Sequence, residues 1–283
     1  QPLYRDRPTP EPQSWGPPLP IVAVPVSTTA PPKDAISQVK PLVETALTTG
    51  KFAQALGHLQ TIPPTGHGDR YQNWLQQATQ GVLREAKATL GSDLTQAQPA
   101  ELTLAIQTVR QIQPGQPYYG EAQRQIHQWS EAILAVAKQR AVQPNQGSST
   151  LAAHQYHAAI LAAKLVPIDQ TTLYTDAQRS IRQWSETLLA IAHAHARVGN
   201  WTIAMQTAQL IPLDTPLFFS GQEAIAQWSQ HLITQAQTQS ETGQLQSAIH
   251  ILQQIPPDTP DHEAAQRAIG QWRSQLKPAK PRR

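Results

Sequence analysis

The sequence predicts an all-α protein: an α-solenoid of about five two-helix units, with repeats of 44 or 55 residues and a Pro-rich disordered N-terminal lead. Three observations predict this fold. A short phrase ending in tryptophan recurs at regular spacing, an apolar stripe of helical period surrounds each copy, and glycine and proline separate the predicted helices. Repeats of this length are typical of arrays in which each unit buries its apolar face against its neighbours.

The recurring phrase is Ile-x-Gln-Trp. Five tryptophans follow one another at intervals of 55, 55, 44 and 44 residues, namely Trp74, Trp129, Trp184, Trp228 and Trp272. In four copies an isoleucine stands three residues earlier, namely Ile126, Ile181, Ile225 and Ile269. Because a catalytic residue would be expected once, these repeated positions are interpreted as structural. We expect the tryptophans to pack between helices, and the glutamine to bond either an indole N–H or a loop carbonyl.

An apolar stripe surrounds each tryptophan. Apolar residues follow it four, five and eight positions later, as at Ile133, Leu134 and Ala137. Together with the preceding isoleucine they have a period near 3.6, which is typical of an amphipathic helix. The pattern predicts a helix of about seven turns, buried on one side, around each tryptophan.

Glycine and proline mark the predicted helix boundaries. Gly199 and Gly243 each lie fifteen residues after a tryptophan, where a helix can end in the left-handed conformation that glycine adopts readily. A shorter helix follows, and a proline thirteen residues after the glycine ends it, as at Pro212 and Pro256. In the Asp-Thr-Pro turn that comes next, Thr215 is predicted to cap the following long helix, with proline at its first position.

Proline content divides the chain into three parts. Residues 1–33 contain ten prolines and are predicted to form a flexible tether, residues 34–276 the helical repeat domain, and residues 277–283 a basic tail. Side chains of the two ends that could contact a partner are Trp15, Lys277, Lys280, Arg282 and Arg283.

The charge distribution argues against a nucleic-acid partner. The formal net charge is +3, but residues 1–34 sum to zero and residues 277–283 to +4, so the body between them carries −1. Nucleic-acid binders usually carry a basic stripe on the folded body, where it attracts phosphate. We therefore expect no nucleic-acid binding.

The residues that could support catalysis or bind a metal predict a protein with no catalytic activity, metal or cofactor. The chain contains no cysteine, which excludes disulfides, thiolate nucleophiles and Cys-ligated metals. No nucleophile elbow, phosphate-binding glycine loop or HExxH pattern occurs. The histidine pairs are interpreted as structural or surface residues, and the recurring turn aspartates as structural: His154, His157, His193, His195, Asp169, Asp214 and Asp258.

The starts of the short helices resemble those of tetratricopeptide-type repeats. The pattern Gly-x-[Trp/Phe/Leu]-x-x-Ala fits residues 50–55, 199–204 and 243–248, within a resemblance that covers roughly residues 35–276. The chain departs from that family in period, since tetratricopeptide repeats have about 34 residues. The Gln-rich, Cys-free composition and Pro-rich lead are also similar to those of membrane-anchored helical-repeat proteins of cyanobacteria. The resemblance implies protein or peptide binding on a concave helical surface.

The expected function is therefore that of a non-catalytic protein–protein interaction scaffold or adaptor, tethered to a membrane or a large assembly. Two alternatives stay open: a structural subunit built permanently into a large complex, and a small-ligand or glycan-binding module. The numbered chain begins with Gln1 rather than Met, so a membrane tether upstream of Gln1 is expected. A membrane-associated location is favoured, with the extracytoplasmic side as one alternative. No motif indicates which protein is the partner.

Overall fold

The computed structural model describes residues 35–63, 68–90, 94, 97–142 and 148–276. Within these ranges the chain forms eleven α-helices and no β-strand, which confirms the all-α prediction for the described part. The helices are α1 (Ala35–Thr48), α2 (Phe52–Gln60), α3 (Gly68–Ala88), α4 (Pro99–Val109), α5 (Tyr119–Val142), α6 (Ser149–Ala163), α7 (Thr171–Arg197), α8 (Trp201–Gln209), α9 (Phe218–Glu241), α10 (Leu245–Leu252) and α11 (His262–Leu276). The predicted tether and tail lie outside the described residues, and so do Trp15, Lys277, Lys280, Arg282 and Arg283.

The helices alternate in length and follow a repeat-like order. Helices α2, α4, α6, α8 and α10 have 8 to 15 residues, whereas α3, α5, α7 and α9 have 21 to 27. Each helix packs on the next one along the chain, and further contacts join α1 to α3, α5 to α7 and α6 to α8. The core is therefore built from neighbours in sequence, step by step.

The tryptophan phrase lies inside the long helices, as the sequence predicts. In α5 the side chains of Ile126, Trp129, Ile133 and Ala137 are at most 1% exposed. The other phrase residues are similarly buried, at 8% exposure or less: Trp74, Trp184, Trp228, Ile181, Ile225 and Ile269. Trp272, in the last described helix, is only half-buried. Burying one tryptophan removes roughly 150–250 Å² from water and contributes about 4–6 kcal/mol before the entropy of ordering is subtracted.

A buried serine directly follows three of the tryptophans. Ser130, Ser185 and Ser229 are all 0% exposed. Each hydroxyl donates to the carbonyl of the isoleucine four residues earlier, over 2.6 to 2.8 Å. The hydroxyl is thereby satisfied inside its own helix, so the repeated phrase has a fifth, polar position that sequence reasoning missed.

Glycine ends the long helices α7 and α9 as predicted. Gly199 and Gly243 have φ of 79° and 83°, in the left-handed region. The residue after each glycine donates its N–H to the carbonyl five positions earlier, Asn200 to His195 and Gln244 to Gln239. This is the Schellman arrangement, which satisfies carbonyls that the helix end leaves free.

The predicted threonine cap is wrong. Helix α9 begins at Phe218, with Leu217 in the capping position, two residues later than the Asp-Thr-Pro pattern suggested. The Thr215 hydroxyl instead donates to the Pro212 carbonyl at 2.7 Å, and the equivalent Thr259 donates to Pro256 at 2.8 Å. Both threonines are nearly buried, so the hydroxyl closes the turn that leaves the short helix and does not reach the next helix.

Candidate functional site

Where two successive long helices meet, a side chain of the first helix lies beside the tryptophan of the second. The residue nine positions after Trp129 is Lys138, and it lines the same cavity as Trp184. The residue nine positions after Trp184 is His193, whose ring meets Trp228 edge-on with 5.2 Å between centroids. We call each such boundary a seam and name it after the tryptophan that it covers.

The Trp184 seam is open. It contains a cavity of about 400 Å³ between α5, α6 and α7. Its lining is supplied by Lys138 and Ala141 of α5, Tyr156 of α6, and Ser180, Gln183, Trp184 and Thr187 of α7. Trp184 is almost fully buried and forms the inner part of this lining, whereas Tyr156 is half-buried. The cavity thus combines aromatic surface with hydroxyl, amide and ammonium groups, the mixture that small binding pockets use for fit and orientation.

The electrostatics of the Trp184 seam are dominated by one cation. No carboxylate is among the residues that line the cavity. Lys138 is exposed, and it makes no ion pair or hydrogen bond with any residue of the described ranges. The other lining groups are neutral, so the cavity has a local positive charge on a body that is nearly neutral as a whole.

The Trp228 seam carries histidine rings at the equivalent positions. Where Lys138 lies in the Trp184 seam, His193 lies against Trp228. Three residues after Trp228, at the position of Thr187, stands His231, whose ring centroid is 5.1 Å from that of Trp201. Both histidines are exposed, so this seam presents imidazole rings where the Trp184 seam presents an ammonium and a hydroxyl.

The Trp272 seam has a smaller and more apolar opening. Its volume is about 150 Å³, between α9, α10 and α11. Ile233, Leu252, Ala268 and Trp272 supply apolar surface, and Gln237 occupies the position of Lys138. This opening is large enough for a small side chain, and none of the residues that line it is charged.

The recurring turn aspartates connect successive short helices. A polar side chain near the end of one short helix reaches the turn that follows the next one. The bridges are Arg110–Asp169 at 2.6 Å, Lys164–Asp214 at 2.5 Å, and the Gln209 side-chain amide to the Asp258 backbone carbonyl at 3.0 Å. The hydrogen bond from Lys164 lowers the pKa of the Asp214 carboxyl below its usual value. The two ion pairs are largely exposed, so each contributes at most about 1 kcal/mol and mainly sets the register of the turns.

The histidines make hydrogen bonds to neighbouring backbone and side chains. A ring nitrogen of His157 bonds the Leu210 carbonyl at the end of α8, and one of His195 lies 2.8 Å from the Ser149 hydroxyl. In the described ranges, no group of three or more His, Asp or Glu side chains is placed to hold a metal ion. His157 thus joins α6 to the end of α8, and His195 joins α7 to the first residue of α6.

The glutamine of the repeated phrase lies on the exposed side of the long helices. The Gln227 amide donates to Glu223 at 3.3 Å, and Gln183 borders the Trp184 cavity. Among the described residues no hydrogen bond joins Gln183 or Gln227 to an indole, so that part of the sequence interpretation is wrong.

Sequence reasoning found Trp184 but missed the other residues of the open seam. Lys138, Tyr156 and Thr187 belong to three different helices and form no local motif. A signal was nonetheless present, because the positions nine and three residues after the tryptophan change character from one repeat to the next. Comparing repeats position by position would have singled out the charged Lys138.

None of the helices in the described ranges is long and apolar enough to cross a bilayer. No protein-family model matches the chain, and no curated protein is significantly similar to it.

Proposed function

We propose that this protein is a non-catalytic protein-interaction scaffold that binds a segment of a partner protein at the Trp184 seam. Its body is an α-solenoid of about five two-helix units, α2–α3 through α10–α11, preceded by α1. The alternation of short and long helices and their contacts with sequence neighbours support this architecture.

One observation carries the functional proposal: the Trp184 seam contains a cavity lined by Trp184, Tyr156 and Lys138, which is unpaired within the described part of the chain. The cavity of about 400 Å³ falls within the range of binding pockets, roughly 300–1,000 Å³. Binding energy in protein interfaces concentrates where a large side chain enters such a pocket and excludes water. A partner side chain that enters beside Trp184 and Tyr156 would supply that kind of anchor.

The wider setting of the scaffold is part of the same proposal. The tetratricopeptide-like starts of the short helices favour a protein ligand, and the Pro-rich residues 1–33 and basic residues 277–283 favour tethering to a membrane or a large assembly. Isolating the native protein at low salt would distinguish this adaptor from a structural subunit that is permanently assembled into a complex. A stoichiometric complex would indicate a subunit, whereas a free or substoichiometric protein supports the adaptor.

A small ligand or glycan is the second candidate occupant. The hydroxyls of Tyr156, Ser180 and Thr187 and the amide of Gln183 favour it, because sugars are held by aromatic faces and hydrogen-bonding side chains. Calorimetric titration with neutral oligosaccharides would detect this activity. Binding that Thr187→His abolishes would then assign the seam to a glycan rather than to a protein.

Thr187→His tests the protein-binding proposal. The substitution puts into the Trp184 seam the residue that stands at the same position in the Trp228 seam, and it leaves Lys138 in place. Peptides would be selected with the purified chain from a random displayed library, synthesised, and titrated by fluorescence anisotropy at pH 8. We expect Thr187→His to weaken their binding at least about tenfold, since a filled pocket loses the buried anchor.

The matched control is Thr234→His, the same substitution at an exposed site on α9 that does not line the cavity. It should leave the dissociation constants within about twofold of the original. Circular dichroism melts should show that both variants stay folded. If Thr187→His binds the selected peptides as tightly as the unaltered protein, the Trp184 seam is not the binding site.

A further inference from the structure

The proposal here rests on the function proposed above and specifies the ligand of the same site. We propose that the Trp184 seam recognises an internal protein segment carrying an acidic side chain next to a bulky apolar one. Lys138 pairs with the carboxylate, and the apolar side chain enters the cavity beside Trp184 and Tyr156.

The charge of the lining supports an acidic ligand. Lys138 is the only charged residue among those that line the cavity. Lys138 has no ion pair within the described ranges, as is also true of exposed cations such as Arg182, but Lys138 lines the cavity and Arg182 does not. An ammonium beside a partly apolar cavity interacts more strongly with a carboxylate than one in open water, because the surroundings screen the pair less.

The comparison between seams supports the assignment of Lys138 to binding rather than to folding. The equivalent position carries His193 at the Trp228 seam and Gln237 at the Trp272 seam. His193 packs on the next tryptophan, so the contact between helices at this position does not need a lysine. A lysine at this position adds a charge that the packing of α5 against α7 does not use.

The donors in the lining favour a side-chain carboxylate over a C-terminal one. Captured chain termini are generally held by clusters of free backbone N–H groups. Ser180, Gln183 and Thr187 lie in the interior of α7, where the backbone N–H groups are engaged in the helix. Side chains are thus the available donors, and an ammonium with flanking hydroxyls and an amide fits a single Asp or Glu side chain.

The aromatic part of the lining sets the second requirement. Trp184 and Ala141 are each 7% exposed, so the part of the lining that they supply is apolar. A branched or aromatic ligand side chain gains from displacing water there, whereas an acidic side chain alone would be desolvated without an apolar contact. The ligand therefore needs both groups close together, within about two residues along an extended segment.

The test uses the peptides selected above and the variant Lys138→Gln, which keeps the opening and removes the charge. Its matched control is Arg182→Gln, the same loss of one charge at an exposed position of α7 that does not line the cavity. We expect selected peptides to carry Asp or Glu within two residues of a bulky apolar residue. Lys138→Gln should weaken their binding about three- to tenfold at low salt, and Arg182→Gln by less than about twofold.

Amide replacement in the peptide completes a double-mutant cycle. Changing the peptide's acid to its amide should weaken binding to the unaltered protein by the same factor and should have little effect on Lys138→Gln, because the pair is already broken. If Lys138→Gln and Arg182→Gln weaken peptide binding equally, the effect is a general attraction between a positive surface and an acidic peptide, and the proposal is overturned. Binding that requires a free peptide C-terminus would also overturn it.

The two proposals fail in different ways. If Thr187→His blocks binding but the peptides show no acidic preference, the seam binds protein and the carboxylate assignment is wrong. If Thr187→His does not block binding, the site itself is wrong, whatever the peptide sequence.

Discussion

Gly81→Ala gives a sharp test of how the short helices pack on the long ones. Gly81 lies within α3, and the ring of Phe52, the first residue of α2, lies directly against it. A Cβ atom added at Gly81 would stand 2.0 Å from Phe52 Cγ and 2.1 Å from Cδ1. Carbon atoms in contact are normally about 3.5–4.0 Å apart, so the Phe52 ring has to move.

Two opposing contributions decide the size of the effect. Alanine in place of glycine inside a helix stabilises by about 0.8–1 kcal/mol. Forcing a methyl group into a packed contact costs about 1–3 kcal/mol. Phe52 is half-buried and lies 5.5 Å from the guanidinium carbon of Arg84, so moving its ring also loses those contacts. We expect Gly81→Ala to lower the free energy of unfolding by about 0.5–2 kcal/mol.

The matched control is Gly57→Ala in α2, where nothing lies within 4 Å of the added Cβ. It should raise the free energy of unfolding by about 0.5–1 kcal/mol, through helix propensity alone. In a Phe52→Ala background the obstructing ring is gone, and Gly81→Ala should become stabilising by a similar amount. Urea unfolding followed by circular dichroism measures all four variants. A Gly81→Ala variant that is stabilised as much as Gly57→Ala would refute the packing of Phe52 on α3.

Three further predictions concern other parts of the molecule. Trp184→Ala should destabilise the body by about 3–5 kcal/mol, since it truncates a side chain that is 7% exposed. Trp15→Ala should change stability by less than about 0.5 kcal/mol. Thermal melts that rank the two variants in the opposite order would refute the division into core and tether. Lys164→Gln should cost less than about 1 kcal/mol at neutral pH, because the pair with Asp214 is partly exposed. The hydrogen bond from Lys164 lowers the pKa of Asp214, so that contribution is fully present above the ordinary carboxyl pKa of 3.8 and is lost as the pH falls through the lowered pKa; the stability difference between the variant and the unaltered protein should shrink as the pH falls below 3.8. Removing residues 277–283 should abolish weak flotation with anionic vesicles at low salt, since its four cations each contribute about 1 kcal/mol near such a surface; flotation that survives the deletion or high salt would place membrane binding elsewhere.

The features that the sequence predicted correctly depend on local patterns. The stripe around Trp129 follows from a 3.6-residue period, and the left-handed Gly199 and Gly243 follow from the need for a residue without a Cβ at a helix end. Each of these patterns is complete within a few turns of one helix. No knowledge of the neighbouring helices is needed to recognise them.

The errors occurred where several local solutions compete. Thr215 can cap a helix through its hydroxyl oxygen or close a turn by donating its hydroxyl hydrogen, and the sequence is compatible with both. Packing of the turn buries Thr215 and its equivalent Thr259, which selects the hydrogen bond to the proline carbonyl three residues earlier. The exposed position of Gln183 was missed for a similar reason, because the direction of its side chain depends on which face α7 turns toward α6.

By itself the sequence determined the helical fold class, the glycine ends of α7 and α9 and most of the tryptophans of the core, because these depend on periodicity and backbone preference within each helix. Only the tertiary structure decided which seam is open. The cavity beside Trp184 depends on Lys138, Tyr156 and Thr187 meeting from three helices, whereas histidine rings stand at two of the equivalent positions of the Trp228 seam. Empty space between helices is a property of how side-chain volumes from distant parts of the chain add up, and periodicity along one helix carries no information about that sum.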